Sequence, residues 1–189
     1  MISRVYHGSN QANLKTLEPK VSSHEKEYVY GSVNPSVALL FLARWNDYIF
    51  RVGYEENQLY IVENYEGALK EVFFKISGYL YDLEPTTFTY KKELWRAEVV
   101  SEVPVKVLNE KRIENIYEEI VNLDKTGNIK VYQYPQRPDF YPNDDQDLID
   151  RLLLNISRFG MTHRDDFYKY HFHLKGRVEQ ALKEINKIF

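Results

Sequence analysis

The spacing of apolar residues changes character partway along the chain, and that change limits the fold more than any other feature. Up to about Asn109 the apolar residues gather in short runs with strand-like alternation; beyond it they recur at helical intervals. Strands first and helices after argue for an α+β fold rather than a doubly wound parallel sheet. With 189 residues the chain suits one domain with an appendage, or two small domains. We expect a core over residues 1–108 and a mainly helical extension over 109–189 packed on it.

The pattern assigns elements one by one. Val5 and Tyr6 open a short strand, followed by a polar loop from Gly8 to about Ser23. Glu27 to Gly31 reads as a second strand. Asn34-Pro35 then supplies an N-cap and a proline at the first helical position. The run Val37, Leu40, Phe41, Arg44, Trp45, Tyr48 predicts a helix with one apolar face. Gln58 to Glu63, Val72 to Ile76, Gly78 to Leu83, Trp95 to Val100 and Val103 to Leu108 read as strands. Pro104 cannot donate to a ladder, so it belongs at a bulge, a strand start or an edge. Ile113, Ile116, Tyr117, Ile120 and Val121 mark a helix closed near Gly127. A short strand from Ile129 to Tyr134 leads into a Pro-containing linker, Tyr134 to Asp139. A helix from about Asp144 to Arg158 follows, and the last one carries Val178, Ala181, Leu182, Ile185 and Ile188 on one stripe.

Composition narrows the chemistry. There is no cysteine, which removes disulfides, thiolate nucleophiles and thiolate metal sites. Net charge is -3, so no global basic field argues for a nucleic-acid partner. No run approaches membrane-spanning length and the N-terminus lacks an apolar signal region, so a cytoplasmic location and no membrane partner are expected. Sixteen Tyr and ten Phe suit concave sites and contact surfaces, and equally suit half-wet sheet faces.

Three short segments carry candidate chemistry. In Tyr6-His7-Gly8-Ser9 a histidine at a strand end reaches the rim of a sheet, where its imidazole can donate to a ligand hydroxyl. Gly8 lets a ligand approach the backbone. In Tyr28-Val29-Tyr30-Gly31-Ser32 the two tyrosines share a strand face, and one can present its ring to a planar ligand. In Trp95-Arg96-Ala97-Glu98-Val99-Val100-Ser101-Glu102, Glu98 and Glu102 fall on one face of an apolar strand, where an unpaired carboxylate is costly. Each also has a plainer reading: a satisfied histidine, aromatic packing, and edge charges that discourage aggregation.

Together these segments resemble the ADP-ribosyltransferase-like superfamily, in its His-Tyr-Glu branch. Tyr-His-Gly-Ser is similar to its first motif, Tyr-Val-Tyr-Gly-Ser before a helix to its second, and a strand beginning with Glu to its third. Residues 3 to 108 are covered, and the likeness is closest to bacterial single-domain members. It implies a split, mainly antiparallel sheet and NAD as a bound substrate, held by His7, Gly8, Ser9, Tyr28, Tyr30 and Ser32. It also implies that His7 bonds the adenosine ribose, that Tyr30 stacks on nicotinamide, and that Glu98 bonds the nicotinamide ribose. Glu102 is the alternative to Glu98, since one register error exchanges them. The implied activity is ADP-ribosyl transfer or NAD glycohydrolysis on an unassigned acceptor. The alternative is a non-catalytic nucleotide- or protein-binding module that keeps the fold.

Elsewhere, His163, His171 and His173 lie near Asp165 and Asp166. In a helix His171 and His173 diverge by about 200°, so no metal is expected. The acidic run Asn143 to Asp147 lacks the glycine and terminal Glu of a calcium loop. It suits a helix N-terminus instead.

Overall fold

A computed structural model of the chain describes residues 2–21 and 26–185. Ser22 and Ser23 of the expected polar loop, and Ile188 of the final stripe, lie outside the described residues. In chain order the elements are β1 (Val5–Ser9), β2 (Thr16–Leu17), β3 (Lys20–Val21), β4 (Glu27–Ser32), α1 (Pro35–Leu40), β5 (Phe50–Glu55), β6 (Gln58–Glu63) and α2 (Ala68–Phe73). There follow β7 (Gly78–Leu83), β8 (Glu98–Ser101), β9 (Val105–Ile113), α3 (Ile116–Lys125), β10 (Ile129–Tyr132), α4 (Gln146–Phe159), α5 (Thr162–His171) and α6 (Lys175–Ile185). The fold is α+β. No described helix is long and apolar enough to cross a membrane.

Two compact units divide the chain, and neither is a continuous stretch. The first joins residues 1–44 to 70–127, and the second joins 45–69 to 128–189. The division therefore differs from a single cut after Leu108. β9 runs on to Ile113, and α3 belongs with the first unit.

The first unit holds an antiparallel sheet in the order β2-β9-β7-β1-β4-β3, with β8 also pairing β4. Alternation sends Val5, Val29, Tyr81, Leu83 and Val99 to one face, where Phe88 and Val105 complete a buried cluster. Burying such a side chain stabilises by about 1.5–3 kcal/mol. Gly31 lies on this face because nothing larger fits. A Cβ there would come within 2.3 Å of Val5 Cγ1 and 3.2 Å of Phe88 Cε1.

α1 begins as the sequence indicates. The Asn34 side chain accepts from Ser36 N–H at 2.9 Å, and Pro35 follows it. It ends far earlier than the apolar spacing suggests, at Leu40, with Phe41 52 % exposed. Two causes stop it. Asn46 bonds its own backbone two residues on, its Oδ1 accepting from Tyr48 N–H at 2.9 Å, which competes with helix. Trp45 and Tyr48 also serve the second unit, Trp45 stacking on Phe50 and Tyr48 packing edge-on to Phe167.

Three further readings need correction. Val72 to Ile76 is not a strand: α2 takes Val72 and Phe73, and a turn follows. Glu63 Oε1 accepts from Leu69 N–H at 2.8 Å near the start of that helix, and Leu69 and Phe73, four apart, are both buried. β5, not assigned from sequence, alternates Phe50, Val52 and Tyr54 with Arg51, Gly53 and Glu55, and pairs β6 through a two-residue turn at Glu56-Asn57. β9 extends through Asn109-Glu110-Lys111-Arg112, a polar run held by its ladder to β7. Pro104 sits immediately before β9, at a strand start as its missing N–H requires.

In the second unit, β6 pairs antiparallel with β5 and parallel with β10. Its helical part closes over Tyr48, Leu148, Ile149, Leu152, Phe167, Leu174 and Val178.

Candidate functional site

β4 is the organising strand of the candidate site. On one edge it pairs β8 from Val29 to Ser32, which sets Glu98 opposite Ser32 and Val100 opposite Tyr30. Its pairing with β1 is a single position, Tyr6 opposite Ser32. β1, by contrast, pairs β7 along its full length, from Val5 opposite Leu83 to Ser9 opposite Tyr79. The three candidate residues thus lie on three neighbouring strands, β1, β4 and β8.

Where the β1–β4 ladder stops, the His7 side chain takes its place. Its Nδ1 lies 2.8 Å from the Tyr30 carbonyl oxygen. A carbonyl can only accept, so Nδ1 carries the hydrogen, and in the neutral ring Nε2 is left as an acceptor. Burial lowers the His7 pKa, the Tyr30 carbonyl opposes that shift, and Lys20 adds to it. In that neutral form Nε2 can only accept, whereas the sequence reading has the imidazole donating. His7 is also not at a strand end, because β1 continues through Ser9. It meets an edge only on the β4 side.

Pleating separates the side chains further. Tyr28, Tyr30 and Ser32 share one face of β4, and Glu98 and Val100 continue that face on β8. His7 alternates with Val5 onto the face carrying the buried cluster. The link between imidazole and phenol strand is therefore the His7–Tyr30 main-chain bond, made at the edge between the two strands.

The Tyr30 ring packs edge-on against Tyr28, centroids 5.8 Å apart and planes at 77°. Tyr28 is buried, and Lys91 Nζ stands 5.7 Å from its ring centre. Ser32 is buried too. Its hydroxyl donates to Ala97 O at 2.9 Å and accepts from Asn34 N–H at 3.1 Å. Its only hydrogen is committed, so its part is to tie the end of β4 to the residue before Glu98. Ser9 accepts from Gln11 N–H at 3.1 Å in a local turn. Gly8 is needed for room: a Cβ would fall 2.2 Å from Ala38 O of α1.

Glu98 is the first residue of β8 and half-buried. It closes a tight turn onto Trp95, its N–H donating to Trp95 O at 2.8 Å and its Oε2 accepting from Trp95 N–H at 3.1 Å. Glu102 lies beyond the end of β8, 65 % exposed, in an ion pair with Lys91 at 2.9 Å. The two glutamates are therefore in different surroundings, and Glu98 is the one in register with β4.

A clamp behind His7 has no sequence signal beyond the Tyr79/Tyr81 alternation. Tyr81, opposite His7, donates from its hydroxyl to Gln11 O at 2.7 Å and lies 2.8 Å from Glu110 Oε2. Glu110 Oε2 also accepts from Asn13 N–H at 2.7 Å. Burial, and then the Glu110 carboxylate, push the Tyr81 phenol up to about 12. The pair fixes the loop that leaves β1 just after the His7-Gly8-Ser9 segment.

The C-terminal histidines act separately. His171 is fully buried, and its Nε2–H donates to Tyr48 O at 2.6 Å. Burial lowers its pKa, as for His7. His163 Nδ1 lies 3.5 Å from the Tyr48 hydroxyl, and His173 is exposed. Among the described residues no three His, Cys, Asp or Glu side chains are grouped to hold a metal ion.

Unfolded histidine titrates near 6.5, whereas His7 and His171 stay neutral to lower pH in the folded state. Below about 6.5 the unfolded chain binds more protons, so stability falls as pH falls; above it both states are neutral and the contribution is flat. Denaturant titrations at pH 7.5 and 5.5 should show the loss, and His171→Gln should reduce it. An unchanged midpoint across that interval would contradict the burial of both rings.

In comparisons with known proteins, no family model, no curated protein and no solved structure matches this chain.

Proposed function

We propose that the chain binds NAD and cleaves its nicotinamide–ribose bond, transferring the ADP-ribosyl group to an acceptor or to water. This reading rests on the resemblance of Tyr6-His7-Gly8-Ser9, Tyr28 to Ser32 and the Glu98 strand to the His-Tyr-Glu branch of the ADP-ribosyltransferase-like superfamily. The single observation that supports it most is the His7 Nδ1–H bond to the Tyr30 carbonyl where the β1–β4 ladder stops. In this reading the splay between the two strands is the split of the sheet. Nε2 of His7 accepts from a ribose hydroxyl and the Tyr30 ring lies against the nicotinamide; because His7 points to one face and Tyr30 and Glu98 to the other, this reading requires NAD to pass through the open edge between β1 and β4.

The chemistry assigns Glu98 its part. Breaking an N-glycosidic bond builds positive charge on the ribose, and a fixed carboxylate stabilises that charge electrostatically. The bonding electrons leave with nicotinamide, and a nucleophilic oxygen or nitrogen of the acceptor, or water, attacks the ribose carbon. The purified protein should release nicotinamide from NAD. A folded protein that binds no NAD and releases no nicotinamide refutes the proposal.

One observation favours a second reading, a binding module without turnover. The Glu98 carboxylate already caps Trp95 N–H, a structural task sufficient to explain its place. Saturable NAD binding without nicotinamide release would select this reading.

A further inference from the structure

A cavity of about 360 Å³ opens among α4, α5 and α6 of the second unit. Its apolar walls are Leu153, Ile156, Met161 and Leu182, and its charged lining is Arg164, Lys183 and Glu179. Leu153, Ile156 and Leu182 are partly buried at the edge of the Leu148–Val178 cluster, against which they also pack. Met161 remains 46 % exposed.

Arg164 is the unusual member. A guanidinium offers five donors in a planar fork. Here its Nη1 lies 3.7 Å from Glu179 Oε1 and its Nε 3.8 Å from Asp165 Oδ1, both beyond hydrogen-bond length. The Nε–H is sealed from solvent and has no hydrogen-bond partner. A buried donor left without an acceptor costs about 1–3 kcal/mol, more for a charged group. Glu179 does not relieve it: its Oε1 stands 3.7 Å from Arg164 Nη1, outside hydrogen-bond length, and accepts from the Tyr168 hydroxyl at 2.9 Å instead. Two cations against one carboxylate leave the charged lining net positive.

We propose that this cavity binds a small amphipathic carboxylate, with the carboxylate on Arg164 and a compact apolar tail against Leu153, Ile156, Met161 and Leu182. Three features set that class. The planar guanidinium of Arg164, with no hydrogen bond to either nearby carboxylate, suits a carboxylate, which can accept two parallel N–H bonds. The walls are apolar, so the rest of the ligand is hydrocarbon. The volume lies at the small end of the usual ligand-pocket range of about 300–1,000 Å³, so the tail is short. The site uses no residue of the proposed NAD site, and either can fail without the other.

The test titrates the full chain with octanoate and with 1-octanol, which shares the tail but lacks the charge, by calorimetry at low salt. Saturable octanoate binding is expected, with octanol weaker by about tenfold or more. Arg164→Gln should weaken octanoate by a similar factor and leave octanol unchanged. Met161→Trp should block both by filling the cavity. Circular dichroism establishes that each variant is folded, and if Arg164→Gln does not fold, the octanoate–octanol comparison on the unaltered chain decides. No saturable octanoate binding, or equal binding of the two probes, overturns the proposal.

Discussion

Asp147→Ala is expected to cost about 3–5 kcal/mol of folding stability and to melt the second unit well before the first. Asp147 bridges two buried guanidiniums, Oδ2 to Arg51 Nη1 at 2.8 Å and Oδ1 to Arg137 Nη1 at 2.9 Å. Its backbone carbonyl also accepts from Arg51 Nη2 at 2.9 Å. The side chains of Arg51, Arg137 and Asp147 are only 9 %, 5 % and 12 % exposed. Removing the carboxylate strands two positive charges away from water, and Asp145, 2.5 Å from Arg137 Nη2, can serve only one of them. Replacing Arg51, Arg137 and Asp147 together by apolar residues of similar volume should recover most of the loss, because the desolvation cost disappears with the charges. Thermal unfolding of the single and triple variants reads both results. A single variant as stable as the parent would mean that the network contributes nothing.

Glu98→Gln is expected to lower nicotinamide release by about 10²–10³-fold with the fold unchanged. The substitution keeps the shape, and its amide oxygen can still accept from Trp95 N–H, so the turn that opens β8 survives. Only the negative charge is lost, and that charge is what stabilises the oxocarbenium-like state in the proposed reaction. Glu102→Gln should leave release unaltered, since Glu102 is exposed on Lys91 outside β8. A Glu102 variant that loses release while the Glu98 variant keeps it would reverse the assignment.

What could be read from sequence follows the range of the forces involved. The start of α1 was legible because Asn34-Pro35 is a local cap, complete within three residues. Its end was not, because Trp45 and Tyr48 leave the helix to fill the second unit. The alternation of Gly78 to Leu83 marked β7 directly, while the polar run of β9 is a strand only through its partner. Arg137 sits in a segment that reads as a linker, yet its side chain is nearly sealed by Asp145 and Asp147. The acidic run around Asp147 suggested only a helix start, since nothing local reveals that Arg51 reaches it from β5.

The candidate site divides in the same way. Short-range reasoning named His7, Tyr30 and Glu98, and the pairing sets their strands side by side with His7 on the face opposite Tyr30 and Glu98. It could not find that His7 spends its hydrogen on the Tyr30 carbonyl, which sets the tautomer. Nor could it find the Tyr81–Glu110 clamp, whose partners are 29 residues apart.

Contact between NAD and His7 is the most direct test of the proposed function. With the imidazole nitrogens labelled, titration of NAD into the folded protein should shift the Nε2 resonance of His7 saturably, leave the Nδ1–H bonded form in place, and lose the effect in Tyr30→Ala. NAD that leaves the His7 resonances unmoved at saturation, or moves only those of His163, His171 and His173, would contradict it.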